Sequence, residues 1–266
     1  MNLKMRKTIL TILWVSIALS HAAPARDLSG VTMEGTPYAG ERLDYMVEWT
    51  GLDVGKLTLL DHGMVEEYGG TFHKLVVYGK TTGAVEHLYD SRRQFIGFMT
   101  PHHRPFRYEE WEKEDDDWIM EEWLSFLFDI KEVRRIKHEK LRNILAIQPN
   151  YFDPVTAGYR LRAHRMKPGD FVEATVTQGK YIYRITTTVE KGEIMQTILG
   201  PRETLVIVPK IYWKGKLVRN RDIKVWLTDD EKQIPVKAFA DVEYGSFTAT
   251  LTKYDEKGAE KVHGKG

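Results

Sequence analysis

The chain has 266 residues, no cysteine, and 39 lysines and arginines against 38 aspartates and glutamates. The lack of cysteine excludes disulfides, thiolate metal sites and a cysteine nucleophile, so stability must come from a sizeable core. The nearly neutral charge argues against nucleic acid as a partner.

The first 22 residues have the pattern of a cleavable signal peptide. Three basic residues between positions 4 and 7 precede a mostly apolar run, Thr8–Leu19, and small residues follow around Ala22. The apolar run is shorter than the roughly 20 residues that a membrane span needs, with a retained anchor as the alternative. We therefore expect a periplasmic protein and favour an extracellular location less.

The rest of the chain is predicted to form one domain. We expect a flexible leader at 23–37, a single β-rich domain at 38–254 and a disordered tail, rich in lysine and glycine, at 255–266. No linker rich in proline or serine divides the sequence, which favours one domain over two.

Three strands are predicted at the start of the domain. Apolar residues alternate with polar ones, the period-2 pattern of a half-buried strand, at Leu43, Tyr45, Val47 and Trp49. The two glycines of 51–55 predict a turn, followed by strands at 56–60 and 72–78. His62–Gly63 and the stretch 68–70 are predicted to bracket a short connection between these strands.

The middle of the chain permits two assignments. Before the ambiguous stretch, the sequence predicts a short helix at 82–89, a strand at 93–99 and an acidic hairpin tip at 114–117. The apolar stretch 118–128 fits either a helix or a strand. We favour a strand from about Trp123 and a return strand through 133–137.

Asp153 and Pro154 predict the start of a central helix, because aspartate is a favoured N-cap and proline suits the first helical position. The helix is expected to end near His164, before Pro168 and Gly169. Four strands are predicted after it, at 171–177, 181–189, 193–199 and 204–209.

Residues 222–251 have the clearest local pattern, that of a three-stranded antiparallel meander. The acidic loop 229–231 suits a turn, because aspartate side chains accept hydrogen bonds from nearby backbone N–H groups. The residues predicted to share alternating apolar positions are Ile223, Val225, Leu227, Ile234, Val236, Ala238, Ala240, Phe247, Ala249 and Leu251.

Three segments resemble a bacterial family of exported proteins, the domain of unknown function DUF3108. They are Gly40–Gly55, Asp153–Gly169 and the closing hairpin, in which Val-Trp-Leu-Thr-Asp-Asp at 225–230 precedes Ile-Pro-Val at 234–236. The resemblance spans about Tyr38–Leu251 and implies an envelope location and a β-rich domain. It implies no catalytic residues.

These patterns predict a mainly β fold. We expect a strongly curved antiparallel sheet or a flattened, partly open barrel, with one short central helix packed on or into it. The curved sheets of envelope lipoprotein carriers offer a looser comparison, at the level of the fold alone.

No catalytic residues, metal site or cofactor are predicted. Asp229 and Asp230 could act as an acid and a base, but their place at a turn favours a local role. The run 115–117 lacks the glycine and glutamate of a calcium-binding EF-hand loop. The neighbours His102 and His103 would point to opposite faces of a strand.

The candidate ligand-binding residues are Arg162, Trp49, Trp226 and Tyr45. Inward aromatic side chains on a curved sheet either line an apolar cavity or fill the core. Arg162 either presents its guanidinium to an anionic ligand group or ties the central helix to the sheet. The sequence leaves both alternatives open.

We predict a non-catalytic protein of the cell envelope that binds an apolar or amphipathic envelope component, such as a lipid, or assists envelope assembly. One alternative is a periplasmic interaction module with an envelope protein as its partner. The other is a hydrolase that acts on envelope glycan or lipid, with Asp229, Asp230 or a histidine as acid or base.

Overall fold

The computed structural model describes residues 26–27, 36–148, 150–218, 222–242 and 245–259. These residues form a mainly β fold with two α-helices, α1 (Ala84–Leu88) and α2 (Pro154–Ala163), and a 3₁₀ turn at Phe128–Ile130. The strands are β1 (Arg26–Asp27), β2 (Arg42–Trp49), β3 (Leu52–Glu67), β4 (Gly70–Thr81), β5 (Arg92–Met99), β6 (Pro105–Glu114), β7 (Asp117–Leu127), β8 (Glu132–Lys137), β9 (Lys140–Ala146), β10 (Tyr151–Phe152), β11 (Phe171–Gln178), β12 (Tyr181–Lys191), β13 (Met195–Thr197), β14 (Gly200–Arg202), β15 (Thr204–Trp213), β16 (Lys216–Leu217), β17 (Ile223–Thr228), β18 (Pro235–Val242) and β19 (Gly245–Asp255).

One large sheet contains every described strand except β13 and β14, which pair with each other. From edge to edge its order is β1, β10, β11, β12, β15, β16, β17, β18, β19, β2, β3, β4, β5, β6, β7, β8 and β9. Strands β1 and β10 run parallel to β11, and the other neighbours are antiparallel. The sheet is strongly curved and does not close, which confirms the predicted fold class.

Helix α2 lies inside the curve of the sheet and packs against β4, β5 and β11. Asp153 caps it as predicted, because its Oδ1 accepts hydrogen bonds of 2.9 Å from the backbone N–H groups of Val155 and Thr156. Val155 and Tyr159 join the core beneath the N-terminal strands, whereas Leu161 joins the core beneath the C-terminal strands. A helix that is buried on both sides connects the two halves of the sheet.

The closing meander forms as predicted from β17, β18 and β19. Leu227, Val236 and Ala249 are all buried on these strands. At the first turn, Asp230 Oδ1 accepts hydrogen bonds from the Thr228 hydroxyl and from two backbone N–H groups. The acidic loop therefore has the turn role that its sequence favoured.

The first hairpin is tighter than predicted, and the predicted turn at 51–55 is wrong. Only Thr50 and Gly51 form the turn, with φ of 50° and 83°. Two residues with positive φ give the turn whose twist matches that of the flanking strands. Gly55 instead lies within β3, where a Cβ would approach the Lys80 carbonyl oxygen to 2.8 Å.

The connection predicted at His62–Gly63 is also wrong, because β3 continues through it as a strand of 16 residues. A β-bulge replaces the connection: the pairing of β3 with β4 shifts between Asp61 and Met64. Gly63 takes a φ of 66° and donates its N–H to Asp61 Oδ1 at 2.8 Å. A bulge of this kind changes the direction of the neighbouring side chains.

The middle of the chain is entirely β apart from the 3₁₀ turn. Strand β7 begins at Asp117 rather than near Trp123, so the helical alternative for this stretch is wrong. The acidic hairpin tip and the return strand are confirmed, while β9 was not predicted. The strand predicted at 193–199 is instead the first arm of the small β13–β14 hairpin.

The predicted signal peptide at 1–22 lies outside the described residues. Most of the predicted leader does too, although β1 falls within it and pairs with β11. At the other end, β19 reaches Asp255, and Ala259 is buried with its N–H bonded to the Gly40 carbonyl. The predicted tail beyond Ala259 is not described.

Candidate functional site

A pocket of about 150 Å³ lies between helix α2 and the concave face of the sheet. Strands β2, β3 and β4 form one wall, and β15, β17 and β18 form the other. Most of the lining is aliphatic, including Leu43, Leu57, Leu75, Val77, Val155 and Leu227. An apolar concavity with a few convergent polar groups is the usual form of a small-molecule site.

The pocket is partly open to solvent. Four of its lining residues on β17 and β18 are partly exposed, namely Val225, Pro235, Lys237 and Ala238. Those on β2 and β4, such as Leu43 and Leu75, are buried. A guest would therefore enter along the β17–β18 hairpin and reach the buried wall of β2 and β4.

Arg162 of helix α2 forms a two-pronged ion pair with Glu41 at the polar end of the pocket. Its Nη1 bonds Glu41 Oε2, and its Nη2 lies 2.8 Å from Glu41 Oε1. Burial alone would lower the pKa of Arg162, but the hydrogen bonds and charge of Glu41 outweigh burial and raise it. The guanidinium therefore stays charged and its charge is matched.

The same guanidinium is held from two further sides. Nε and Nη2 donate to the backbone carbonyls of Lys232 and Gln233 at 3.0–3.1 Å. The Tyr38 ring stacks on it, with 3.7 Å between the guanidinium carbon and the ring centroid. Arg162 thus ties helix α2 to the β17–β18 turn and to the residues that precede β2.

A second buried polar group, Asp61, lines the pocket together with Arg162 and Glu41. Its Oδ1 lies 2.6 Å from His73 Nε2, and both side chains are at most 5% exposed. The Tyr159 ring packs edge-on against His73, with centroids 4.7 Å apart. Burial, and then the charge of Asp61, raise the pKa of the Tyr159 hydroxyl, which keeps it protonated.

The structure brings two of the four predicted ligand-binding residues to the pocket. Arg162 and Tyr45 both line it, and the Tyr45 hydroxyl donates to the Pro235 carbonyl at 2.8 Å. Trp49 lies at the end of β2, 40% exposed and stacked on Phe247. Trp226 is partly buried outside the lining, with Lys237 Nζ 5.4 Å from its ring centroid.

Asp61, Glu41, Tyr38 and Tyr159 line the pocket but were not predicted from the sequence. One signal for Asp61 was available, since Asp-His-Gly at 61–63 fits a bulge as well as a turn. Tyr38 and Glu41 come from the segment before β2, and Tyr159 comes from helix α2, more than a hundred residues later. Only the packing of helix α2 against the sheet brings these segments together.

The candidates for acid–base and metal chemistry lie elsewhere. Asp229 and Asp230 are exposed at the β17–β18 turn. Among the described residues, no three histidines, aspartates or glutamates are arranged to hold a metal ion. Within the same residues, no helix has the length and apolar character to cross a membrane.

On β5–β8, the concave face of the sheet, which also lines the pocket, carries a charged cluster. We define it as Arg93, Glu110, Glu112, Glu122 and Arg135. Arg93 pairs with Glu112, and Arg135 Nη2 lies 2.5 Å from Glu122 Oε2. Glu110 faces Glu122 directly across β6 and β7. Burial, and next the charge of Glu122, raise the pKa of Glu110 to about 7.

Solved structures of three bacterial proteins are similar to the chain to different degrees. A β-barrel-like protein of the domain of unknown function DUF1849 from Brucella abortus has a TM-score of 0.53 at 11% identity, covering 82% of this chain and 98% of that one. A Bacteroides fragilis protein described as exported, with a YmcC-like fold, has a TM-score of 0.34 at 10% identity, covering 85% and 100%. The Mycobacterium tuberculosis lipoprotein LppX has a TM-score of 0.29 at 13% identity, covering 82% and 87%.

The first of these supports the curved β fold alone, and the scores of the other two are too low to support an argument. No curated protein matches the sequence. The model of one family does match, over residues 44–252, which is most of the chain and includes both walls of the pocket. The chain therefore belongs to the family of proteins of unknown function DUF3108.

Proposed function

We propose that this protein is a non-catalytic protein of the cell envelope that binds an apolar or amphipathic molecule in the pocket beside helix α2. The observation that carries the proposal is a partly open, mostly aliphatic cavity with a fixed polar end. Filling it would remove apolar surface from water on both partners, at about 25 cal/mol for each Å².

The size of the pocket limits what it can hold. Its 150 Å³ matches a cavity that accepts a benzene-sized guest and is smaller than the roughly 300–1,000 Å³ of pockets that enclose drug-sized ligands. We therefore assign it one apolar chain or ring, with the remainder of a larger molecule outside. A lipid with several chains would need a wider opening between β17–β18 and helix α2.

The proposed location rests on the sequence. The basic segment, the apolar run and the small residues that follow form the pattern of an exported protein's signal. In the periplasm such a pocket would meet envelope lipids and other amphiphiles. N-terminal sequencing of the protein from an envelope fraction tests this, and a mature protein that still begins at Met1 would contradict it.

Binding can be tested with a neutral dye, N-phenyl-1-naphthylamine, whose fluorescence rises in apolar surroundings. We expect saturable binding to the purified protein and its loss in Ala238→Trp, which places an indole at the open side of the pocket. The matched control is Ala146→Trp, at an exposed position on β9 away from the pocket. A wild-type protein that binds no dye, or equal binding by Ala238→Trp and Ala146→Trp, would contradict the proposal.

A further inference from the structure

We propose that the polar end of the pocket recognises a neutral hydroxyl group and selects against anions, so that the ligand class is an alcohol with a single apolar chain. This inference rests on the proposed function, because it names the headgroup of the molecule bound there. It follows from an account of which donors and acceptors at the polar end already have partners.

The donors of Arg162 are already engaged. Glu41 and the carbonyls of Lys232 and Gln233 together accept from four of the five N–H groups of the guanidinium. A ligand carboxylate that bound here would compete with Glu41 for the same cation. It would leave the Glu41 carboxylate buried without its partner, which is strongly unfavourable.

An acceptor, by contrast, is still open. Asp61 Oδ1 has two partners, His73 Nε2 and the Gly63 N–H, whereas Oδ2 is buried with no hydrogen-bond partner among the described residues. The Tyr159 hydroxyl is likewise buried and makes no hydrogen bond of normal length, although it interacts with the nearby Asp61 carboxylate. Both side chains are at least nine-tenths buried and both line the pocket.

A buried polar atom without a partner costs free energy, which a suitable ligand would recover. A hydroxyl suits both groups, because it can donate to Asp61 Oδ2 and accept from Tyr159 at the same time. An anion would meet the carboxylates of Asp61 and Glu41. An ammonium group would lose its hydration on entering an apolar pocket, a cost that a neutral hydroxyl largely avoids.

Three ligands with the same chain separate these headgroups: 1-octanol, octanoate and octylamine, each titrated calorimetrically into the intact protein at pH 7. We expect 1-octanol to bind about tenfold or more tightly than either charged ligand, because only the hydroxyl both donates to Asp61 and enters the pocket without a charge to desolvate. Octanoate or octylamine binding as tightly as 1-octanol would overturn the assignment.

Two matched variants test the residues. Tyr159→Phe removes the hydroxyl that faces Asp61 and should reduce the preference for 1-octanol over octanoate several-fold. Tyr78→Phe removes a hydroxyl on β4 outside the pocket lining, and should leave the preference unchanged. Asp61→Asn gives a third measurement and should also reduce it. An unchanged preference in both Tyr159→Phe and Asp61→Asn would overturn the proposal.

The two proposals fail in different ways. If the wild-type protein binds the neutral dye but discriminates among the three octyl ligands by less than twofold, the hydroxyl assignment is wrong and the pocket remains a binding site. If it binds neither the dye nor any octyl ligand, the proposed function itself is wrong. Circular dichroism of each variant shows whether a loss reflects unfolding.

Discussion

The concave face of this sheet has two regions of opposite chemistry. Around helix α2 it is mostly aliphatic, and the buried ion pair there, Arg162 with Glu41, is matched in charge. On β5–β8 the same face carries the charged cluster, in which Glu110 and Glu122 stand opposite each other, with Arg93, Arg135 and Lys137 as the nearby cations. Like charges directly opposite on neighbouring strands destabilise a sheet.

The comparison shows that facing inward does not mean being apolar. On β6, Tyr108 and Glu110 are alternate residues of one face, and Tyr108 is 1% exposed in the core. The Tyr108 hydroxyl lies 3.2 Å from Glu110 Oε1, so the core leads directly into the charged cluster. We infer that the pocket region supplies stability and that the cluster reduces it above neutral pH.

The largest effect should come from a charge placed in the aliphatic region. Leu227→Asp would bury a carboxylate that has no partner, at a cost of several kcal/mol, and should unfold the domain. Asp230→Asn, at the exposed turn of the same hairpin, should cost about 1 kcal/mol or less. Thermal unfolding compares the two, and equal shifts would mean that Leu227 does not face the core.

The matched ion pair should be nearly as sensitive. Arg162→Ala leaves Glu41 buried and unpaired, so we expect a loss of about 3–5 kcal/mol in the free energy of unfolding measured with urea. The control is Arg184→Ala, whose pair with Glu173 is largely exposed and should be worth about 1 kcal/mol or less. If Arg162→Ala lowers the free energy of unfolding as little as the control does, the Arg162–Glu41 ion pair does not stabilise the fold.

In the charged cluster, by contrast, removing a charge should stabilise the protein. The raised pKa of Glu110 means that the folded protein holds a proton which the unfolded chain has released, so its contribution to stability falls as pH rises from about 4.5 to about 7. Glu110→Gln should therefore add about 1–3 kcal/mol at pH 8 and little at pH 4.

Urea unfolding at several pH values measures this effect, with the exposed carboxylate Glu190→Gln as the control, expected within about 0.5 kcal/mol of wild type. A Glu110→Gln variant that is less stable than wild type at pH 8 would show that the Glu110 carboxylate stabilises the cluster. The pKa shift would then be insufficient to explain its role.

The smallest effect concerns two tyrosines of the pocket. Tyr45→Phe removes a hydrogen bond to a backbone carbonyl and should cost about 1 kcal/mol. Tyr159→Phe removes a hydroxyl that makes no hydrogen bond of normal length, and should change the free energy of unfolding by about 0.5 kcal/mol or less. A larger cost for Tyr159→Phe would show that its hydroxyl is bonded in solution.

The elements set by local chemistry could be predicted from the sequence. The cap at Asp153, the turn at Asp230 and the alternation from Leu43 to Val47 each depend on neighbours within a few residues. The bulge at Gly63 could not be told from a turn, because the same three residues suit both and only pairing with β4 decides.

The residues of the site were harder to predict, because they depend on contacts between distant parts of the chain. The sequence singled out Arg162 but could not show that Glu41, more than a hundred residues earlier, matches its charge. It favoured Trp49 and Trp226 because they lie on predicted strands of the curved sheet, whereas the described lining contains seven leucines, four valines and three tyrosines but no tryptophan. The inward position of Glu110 follows from alternation, but its effect depends on Glu122, which the cross-strand register supplies.

The order of strands in the sheet also bears on how the chain folds. Neighbours along the chain are neighbours in the sheet almost throughout, so each half of the sheet can form from local hairpins. Two pairings are exceptions: the short strand β1 with β11, and the central pairing of β19 with β2, where Arg42 lies opposite Asp255. The central pairing must bring together segments about 200 residues apart, and we expect it to limit the folding rate.

Near the two edges of the sheet, by contrast, lie strands that do not pair with each other but are close in sequence. Strands β9 and β10 are nearly consecutive, and the five steps from Ala146 to Tyr151 span at most about 17 Å. One short piece of chain therefore links β9 to β10 near the two edges of the sheet, while the middle pair, β19 with β2, is held without a covalent link, by hydrogen bonds and core packing. A circular permutant that opens the chain between β9 and β10 and joins β19 covalently to β2 would keep the pairs from β2 to β9 and from β10 to β19, and should fold faster than the natural order.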